Sequence, residues 1–330
     1  MRSIFLCESP ENIRNVYGSL TSRLPDIDLE IYSRADILDG EGRFADVRFI
    51  FSSWGMPVLT EEEIKTHLPS LECVFYGAGT VQSFVRPFLA YGVKVFSAWA
   101  ANAVPVAEVT VAQIVLSNKG YYRAHRLCRT EGWDFARAVF GNYRGNYGET
   151  VGIIGAGMIG RLVIRMLKNY NLNVLVFDPF LSDEKAAELG VEKCDLPTLF
   201  SCASVVSNHL ANNEQTRGMI CYDLFRRMRD GATFINTGRG AQVVENDLIR
   251  ILRERDDMTA LLDVTDPQEP PVDGHPFYSL PNCVLTPHIA GSSGNEVTRM
   301  GEYMLRECEA YLSGAPTKYE VTADMLKTMA

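Results

Sequence analysis

The sequence predicts an α/β fold with two domains, each built on a doubly wound parallel sheet. The chain has 330 residues, which is long for a single hydrophobic core. Short apolar runs alternate with helical patterns twice, once before and once after a Gly- and Asn-rich turn at 141–149. Because such alternation places helices on both faces of parallel strands, it indicates two α/β units in one chain.

The first hundred residues contain five apolar runs that predict buried strands and three amphipathic stretches that predict helices. The strands are SIFLCE, LEIYS, VRFIFSS, ECVFYG and KVFSA, and the helices are PENIRNVYGSL, TEEEIKTHL and VQSFVRPFLAY. A longer pattern with apolar residues at i, i+3 and i+4 spacing follows over 104–129 and predicts one long helix.

A second series of strands follows the turn. The strands are TVGIIGA, NVLVFD, SVVSNH, ATFINT, TALLDV and CVLTPH. The last helical pattern, 296–312, comes after this second sheet is complete, so we expect it to pack on the first domain. The predicted domains are therefore 1–102 with 292–330, and 103–291.

Composition excludes several classes of function. The net charge of −9 and the pI near 5.2 argue against nucleic acid, since a phosphate-binding surface needs clustered Lys and Arg. No basic amphipathic pattern, signal peptide or run of about 18 apolar residues is apparent, so we expect no membrane partner. The eight cysteines form no CxxC pair, which predicts reduced thiols, no metal site and a cytoplasmic protein.

The run VGIIGAGMIG has the glycine spacing of a dinucleotide-binding turn. Gly155 makes the tight turn, Gly157 lets the backbone approach a pyrophosphate, and Gly160 allows close packing of helix on strand. The backbone N–H groups of Met158 and Ile159 then face the phosphates at a helix N-terminus. The alternative is a strand-to-helix turn of purely structural origin. The strand before it and the amphipathic helix after it favour the dinucleotide site.

Asp178 ends the next predicted strand, 18 residues after Gly160. A carboxylate there accepts hydrogen bonds from the adenosine ribose hydroxyls and repels a 2′-phosphate. Pro179 and Phe180 follow, with no arginine to receive such a phosphate. The predicted cofactor is therefore NAD rather than NADP.

Three further side chains follow strands of the same sheet. Arg239 stands between two glycines, Asp263 ends TALLD, and His288 lies in the small-residue stretch TPHIAG. Ligands of open α/β sheets collect at the carboxyl ends of strands, so these residues are candidates for an active site. Each also has an ordinary interpretation: a surface arginine, a turn-forming aspartate and a helix-capping histidine.

Together these motifs resemble the D-isomer-specific 2-hydroxyacid dehydrogenase family over nearly the whole chain. The matching segments are AANAVPVAE, VGIIGAGMIG, VVSNHLANNEQTRGMI, INTGRGAQVVE, LLDVTDPQEP and TPHIAG. The resemblance implies a flavodoxin-like substrate domain, a Rossmann NAD-binding domain and an active site in the cleft between them. It also implies a small 2-oxo or 2-hydroxy acid as substrate.

The chemistry of that reaction suits the three side chains. Arg239 would bind the substrate carboxylate and polarise the carbonyl, and His288 would donate the proton during reduction. By resemblance, Asp263 orients the nicotinamide carboxamide. The resemblance also places His209, Thr237 and Gly238 at the cofactor.

Two departures from the family pattern bear on these predictions. The family's catalytic glutamate position holds Gln268, and Glu269 follows one residue later. We predict Glu269 as the partner of His288. If Gln268 were the partner, the site would resemble the formate dehydrogenase branch. The second departure is Ala211, where the family usually has a proline two residues after His209.

The resemblance assigns substrate contacts to the first domain. Gly77, Ala78 and Gly79 match a glycine loop whose N–H groups meet the substrate carboxylate, although a plain turn explains them equally well. Asn102 matches an asparagine near the domain junction. Trp54 follows the third strand, where the phosphoglycerate branch would carry an arginine, so phosphoglycerate is disfavoured.

The sequence thus predicts an NAD-dependent reductase of 2-oxo acids. The long helix from Val104 resembles the segment through which family members form two-fold dimers, so we expect a homodimer. One alternative is an NAD(H)-sensing binding protein on the same fold, such as the C-terminal binding protein corepressors. The other is a dehydrogenase acting on formate or phosphite.

Overall fold

A computed structural model describes residues 2–327 of the chain. The chain forms two compact units. One unit holds the residues up to Asn102 together with those from Ser292 onward, and the other holds Ala103–Gly291. Each unit is built on its own parallel sheet, which confirms the predicted α/β fold class.

The first unit contains a five-stranded sheet flanked by short helices. Its strands are β1 (Arg2–Leu6), β2 (Ile27–Tyr32), β3 (Val47–Ser52), β4 (Cys73–Tyr76) and β5 (Lys94–Ser97), and the helices between them are α1 (Pro10–Tyr17), α2 (Arg34–Asp39), α3 (Glu61–His67) and α4 (Val85–Tyr91). The strand order is β2-β1-β3-β4-β5, with every pair parallel. Helix α2 was not predicted, because six residues are too few for a periodic pattern; the Ser33–Asp36 capping box starts it.

The predicted long helix over 104–129 is wrong in its extent, because the structure divides it at Gly120. Helix α5 (Trp99–Asn118) ends there and α6 (Tyr121–Thr130) begins. Gly120 adopts φ +64°, and a Cβ at this position would lie 2.5 Å from the Tyr143 ring. Of the helices in residues 2–327, α5 alone is long and apolar enough for a membrane span, and half of that stretch is buried within the fold, as in a core helix.

The second unit contains a seven-stranded parallel sheet. Its strands are β6 (Thr150–Ile154), β7 (Asn173–Phe177), β8 (Glu192–Lys193), β9 (Val205–Asn208), β10 (Thr233–Asn236), β11 (Thr259–Leu262) and β12 (Cys283–Leu285), and its further helices are α7 (Trp133–Phe140), α8 (Met158–Leu167), α9 (Asp183–Leu189), α10 (Leu196–Cys202), α11 (Tyr222–Phe225) and α12 (Glu245–Glu254). The order is β12-β11-β10-β9-β6-β7-β8. The strand order therefore reverses beside β6, which is the position of the ligand crevice in open α/β sheets.

The last helix, α13 (Glu296–Ser313), packs in the first unit. It approaches α1 closely, since a Cβ at Gly301 would lie 2.3 Å from the carbonyl oxygen of Val16. Met300, Met304 and Cys308 on this helix are fully buried against the sheet. Their burial explains why the chain returns to the first unit after completing the second.

Candidate active site

The glycine turn after β6 has the geometry that a dinucleotide requires. Gly155 adopts φ +90°, and a Cβ there would lie 2.8 Å from the carbonyl oxygen of His209. A Cβ at Gly160 would lie 2.0 Å from the carbonyl oxygen of Gly155, so the helix can pack closely only with glycine. By contrast, a Cβ at Gly157 would meet no atom within 4 Å. The space in front of Gly157, at the N-terminus of α8, is therefore open to a pyrophosphate.

Asp178 follows β7 and braces this turn. One carboxylate oxygen accepts the N–H of Ala156 at 2.7 Å, and the other accepts the N–H of Phe180 at 2.8 Å. The Arg161 Nε donates to the carbonyl oxygen of Ala156 at 2.6 Å, so both backbone polar groups of Ala156 are hydrogen-bonded. Each carboxylate oxygen keeps a further lone pair for a ribose hydroxyl. The residues present therefore fit a dinucleotide with an unphosphorylated ribose.

Met158 and Ile159 form the first turn of α8, where backbone N–H groups have no acceptor within the helix. Thr237 and Gly238 follow β10. The Thr237 hydroxyl lies 3.0 Å from that of Thr110 on α5, and both residues are buried. This contact fixes the end of β10 against α5.

His288 and Glu269 form a hydrogen-bonded pair. The Nδ1 of His288 lies 2.5 Å from a carboxylate oxygen of Glu269, and both side chains are close to half exposed. Because Nδ1 bonds to the carboxylate, Nε2 is the nitrogen left to exchange a proton with a ligand. Gln268 instead contributes its backbone carbonyl, which accepts the Thr265 hydroxyl at 2.7 Å.

The loop that carries His288 is held by Asp263, which follows β11. The buried carboxylate of Asp263 accepts the Thr286 hydroxyl at 2.6 Å and the backbone N–H groups of Ile289 at 2.9 Å and Ala290 at 2.8 Å. His288 itself adopts φ +54°, which is uncommon for a residue other than glycine. Resemblance assigned Asp263 to the cofactor; sequence reasoning missed that it also shapes this loop.

Arg239 follows β10 in the same unit and is partly buried. Burial lowers the pKa of the Arg239 guanidinium from its ordinary value, and the negative charge of nearby Glu269 opposes that shift. One guanidinium nitrogen donates to the carbonyl oxygen of Gly238 at 2.8 Å. The next residue, Gly240, must be glycine because a Cβ would lie 2.1 Å from the carbonyl carbon of Thr265. This close approach brings the loops after β10 and β11 together.

His209 follows β9 and is buried. Its Nε2 lies 2.9 Å from the Ser207 hydroxyl, while its Nδ1 has no hydrogen-bond partner. Burial lowers the pKa of His209 to about 4, so the imidazole is neutral at physiological pH. A neutral ring of this kind suits packing beside the glycine turn rather than proton transfer.

Three buried side-chain amides lie beneath the Arg239 loop, and sequence reasoning assigned them no role. They belong to Asn208, Asn236 and Gln242. Asn208 and Asn236 end neighbouring strands in register, and the amides of Asn208 and Asn236 hydrogen-bond at 3.0 Å. Equal placement of two asparagines at strand ends was the only signal in the sequence for this contact.

The predicted substrate residues lie in the first unit. The Gly77 N–H donates to the carbonyl oxygen of Ser52 at 2.7 Å, which removes it as a donor to a substrate carboxylate. Gly77 is needed for packing instead, since a Cβ would lie 2.7 Å from the Val16 side chain. The carbonyl oxygens of Ala78 and Gly79 accept the Ser97 hydroxyl, which orients this loop.

Asn102 and Trp54 complete the predicted set. The Asn102 side-chain oxygen accepts the N–H of Ser292 at 2.9 Å. Asn102 therefore fixes the position at which the chain returns to the first unit, which begins again at Ser292. Trp54 follows β3, and its side chain is partly exposed. In residues 2–327, no three His, Cys, Asp or Glu side chains are grouped to hold a metal ion.

Comparison with known proteins identifies the family. Residues 111–290, more than half of the chain, match the model of the D-isomer specific 2-hydroxyacid dehydrogenase, NAD binding domain. The chain belongs to the D-isomer-specific 2-hydroxyacid dehydrogenase family. NAD is therefore its cofactor, in agreement with the glycine turn and Asp178. Both the resemblance read from the motifs and the predicted cofactor are confirmed.

Relatives within this dehydrogenase family carry different names. D-3-phosphoglycerate dehydrogenase from Archaeoglobus fulgidus is 30% identical over 230 residues, which cover 70% of this chain and 43% of that protein. Formate dehydrogenase from Chaetomium thermophilum is 32% identical over 231 residues, 68% of this chain and 62% of that protein. The chain thus matches less than two thirds of either relative. The apo structure of D-mandelate dehydrogenase from Rhodotorula graminis shares the fold, with a TM-score of 0.79 at 20% identity over 97% of each chain.

Proposed function

We propose that the protein interconverts a 2-oxo acid and a D-2-hydroxy acid with NAD as the hydride carrier. The observation that carries the proposal is the 2.5 Å hydrogen bond between His288 Nδ1 and Glu269, with the partly buried cation of Arg239 near the same carboxylate. A proton donor and a fixed cation are the two protein groups that reduction of a 2-oxo acid needs.

When bound, the nicotinamide supplies or accepts the hydride at the substrate's C2. During reduction, Arg239 binds the substrate carboxylate through its planar fork of donors. The Nε2–H of His288 donates a proton to the carbonyl oxygen, which becomes the hydroxyl of the product. Glu269 stabilises the imidazolium before this transfer and keeps Nδ1 protonated throughout. In the oxidation direction, His288 takes the proton back.

We further propose an uncharged, apolar side group on the substrate. Trp54 follows β3, and its side chain is exposed. Arg34, which follows β2, pairs with Glu63. An indole cannot neutralise a phosphate dianion, which argues against phosphoglycerate as substrate.

The pairing of His288 with a carboxylate also favours a 2-oxo acid over formate. Loss of NADH absorbance at 340 nm should be followed with glyoxylate, hydroxypyruvate, its 3-phosphate, pyruvate, and branched and aromatic 2-oxo acids. We expect turnover with NADH, weak turnover with NADPH, and a D product by chiral chromatography. Oxidation of formate or phosphite alone would establish the formate-type branch. Tight NADH binding with no turnover would establish a sensor.

We also propose a cytoplasmic homodimer formed through the helical segment that begins at Val104 and through α7, which follows it. Trp133 is 74% exposed and Phe135 is 52% exposed, which is unusual for large apolar side chains on one short helix. All eight cysteines are free thiols, as a reducing compartment allows. Light scattering should give twice the monomer mass of 36.8 kDa, and Trp133→Glu with Phe135→Glu should give the monomer.

A further inference from the structure

The three buried amides beneath the Arg239 loop form a continuous network with Gln242 at its centre. Gln242 is fully buried in the 3₁₀ turn that follows Arg239. A buried amide is costly unless its donors and acceptors are satisfied, so a glutamine here indicates that its bonds matter. Leucine would fill the same volume at less cost if packing were the only requirement.

Gln242 contacts two loops at once. Its side-chain oxygen accepts the backbone N–H of Arg239 at 3.2 Å and the Asn208 amide at 3.2 Å. Its side-chain nitrogen donates to the carbonyl oxygen of Ala211 at 3.3 Å. The first contact fixes the loop after β10 and the last fixes the loop after β9, which also carries His209.

The two asparagines extend the same connection. The Asn236 amide donates to the carbonyl oxygen of Arg239 at 3.0 Å, and its oxygen accepts the N–H of Gly238 at 3.1 Å. The Asn208 oxygen accepts the N–H of Leu210 at 3.2 Å. The backbone N–H and C=O of Arg239 are therefore both held by buried amides, and neither is left to solvent.

We infer that Gln242 is a positioning residue that couples the Arg239 loop to the 209–211 loop. Resting on the proposed function, the inference means that Gln242 sets affinity for the 2-oxo acid through Arg239 and affinity for NADH through the second loop. A guanidinium displaced by a fraction of an ångström no longer forms both hydrogen bonds of a bidentate contact with a carboxylate. Gln242 itself touches neither the substrate nor the cofactor in this scheme.

The test compares Gln242→Leu with a matched control, Asn282→Leu. Asn282 is also a buried amide in the same unit, and it donates to the carbonyl oxygens of Leu252 and Arg255 at the opposite end of the sheet. Both variants remove buried hydrogen bonds, so both should lower the melting temperature. Gln242→Leu should also raise the KM for the 2-oxo acid and the Kd for NADH, the latter by fluorescence titration, each about tenfold.

Asn282→Leu should leave both constants within about twofold of the wild type. Gln242→Met keeps the length of the side chain and removes both amide contacts, so it should raise the KM and the Kd in the same direction as Gln242→Leu. This variant decides the matter if Gln242→Leu does not fold.

The inference is overturned if Gln242→Leu matches Asn282→Leu in KM and Kd while the wild type is active. If the wild type reduces no 2-oxo acid, the proposed function fails, and the substrate half of the inference fails with it. The Kd for NADH then still decides whether Gln242 supports the cofactor loop.

Discussion

The carboxylate of Asp263 accepts the backbone N–H of Ile289, the residue directly after His288, at 2.9 Å. With the bonds from Thr286 and Ala290, this contact fixes the loop on both sides of the histidine. The loop would otherwise have little to define its shape, because it is short and rich in small residues. Asp263 therefore sets where the His288 imidazole stands before any ligand binds.

Asp263→Asn should lower kcat for 2-oxo acid reduction about a hundredfold, because a carboxamide cannot accept all three bonds and His288 shifts. If positioning is its main role, the Kd for NADH should change less than threefold. Thr286→Val is the matched control: it removes one of the three donors, and kcat should stay within about threefold. A wild-type kcat in Asp263→Asn would disprove the positioning role.

Glu269→Gln should lower kcat/KM for reduction at pH 8 about tenfold or more, because the imidazolium of His288 loses its negative partner. The neighbouring variant Gln268→Ala should leave kcat/KM within about threefold of the wild type. If the two variants behaved the other way round, Gln268 would be the partner.

His209 should make stability depend on pH. The pKa of His209 is about 4 when folded and about 6.5 when unfolded, so the unfolded state gains a proton first as the pH falls. The contribution is fully present above pH 6.5 and is lost as the pH falls toward 4. Between pH 7 and pH 5 it should cost about 2 kcal/mol.

Urea unfolding of His209→Gln at these two pH values should therefore show a smaller loss of stability than the wild type. His67→Gln, at the end of α3, should retain the wild-type loss. An equal loss in all three proteins would mean that His209 is not the group responsible.

The sequence predicted those features that repeat a local pattern. Strand alternation gave both sheets, and the glycine turn with Asp178 gave the cofactor, because each depends on residues close together in the chain. The sequence pattern did not predict that the helix is interrupted at Gly120, because the interruption involves the ring of Tyr143, more than 20 residues away.

The same limit applies within the site. Glu269 rather than Gln268 contacts His288 because of the conformation of the loop after β11. The two residues are neighbours in the chain, so the sequence alone does not show which of them is the partner. The roles of Asp263 and Gln242 depend on contacts 23 to 31 residues apart, such as those with Thr286 and Ala211. Residue type alone carries no such information.

The role of His288 as proton donor is tested by the turnover of His288→Asn with NADH and the best 2-oxo acid of the panel. Asparagine keeps a polar side chain of similar reach and tolerates the positive φ, but it cannot supply a proton. We predict a loss of kcat of about a thousandfold, with the Kd for NADH within about threefold of the wild type. Turnover at the wild-type rate in this variant would contradict the assignment of His288 as the proton donor.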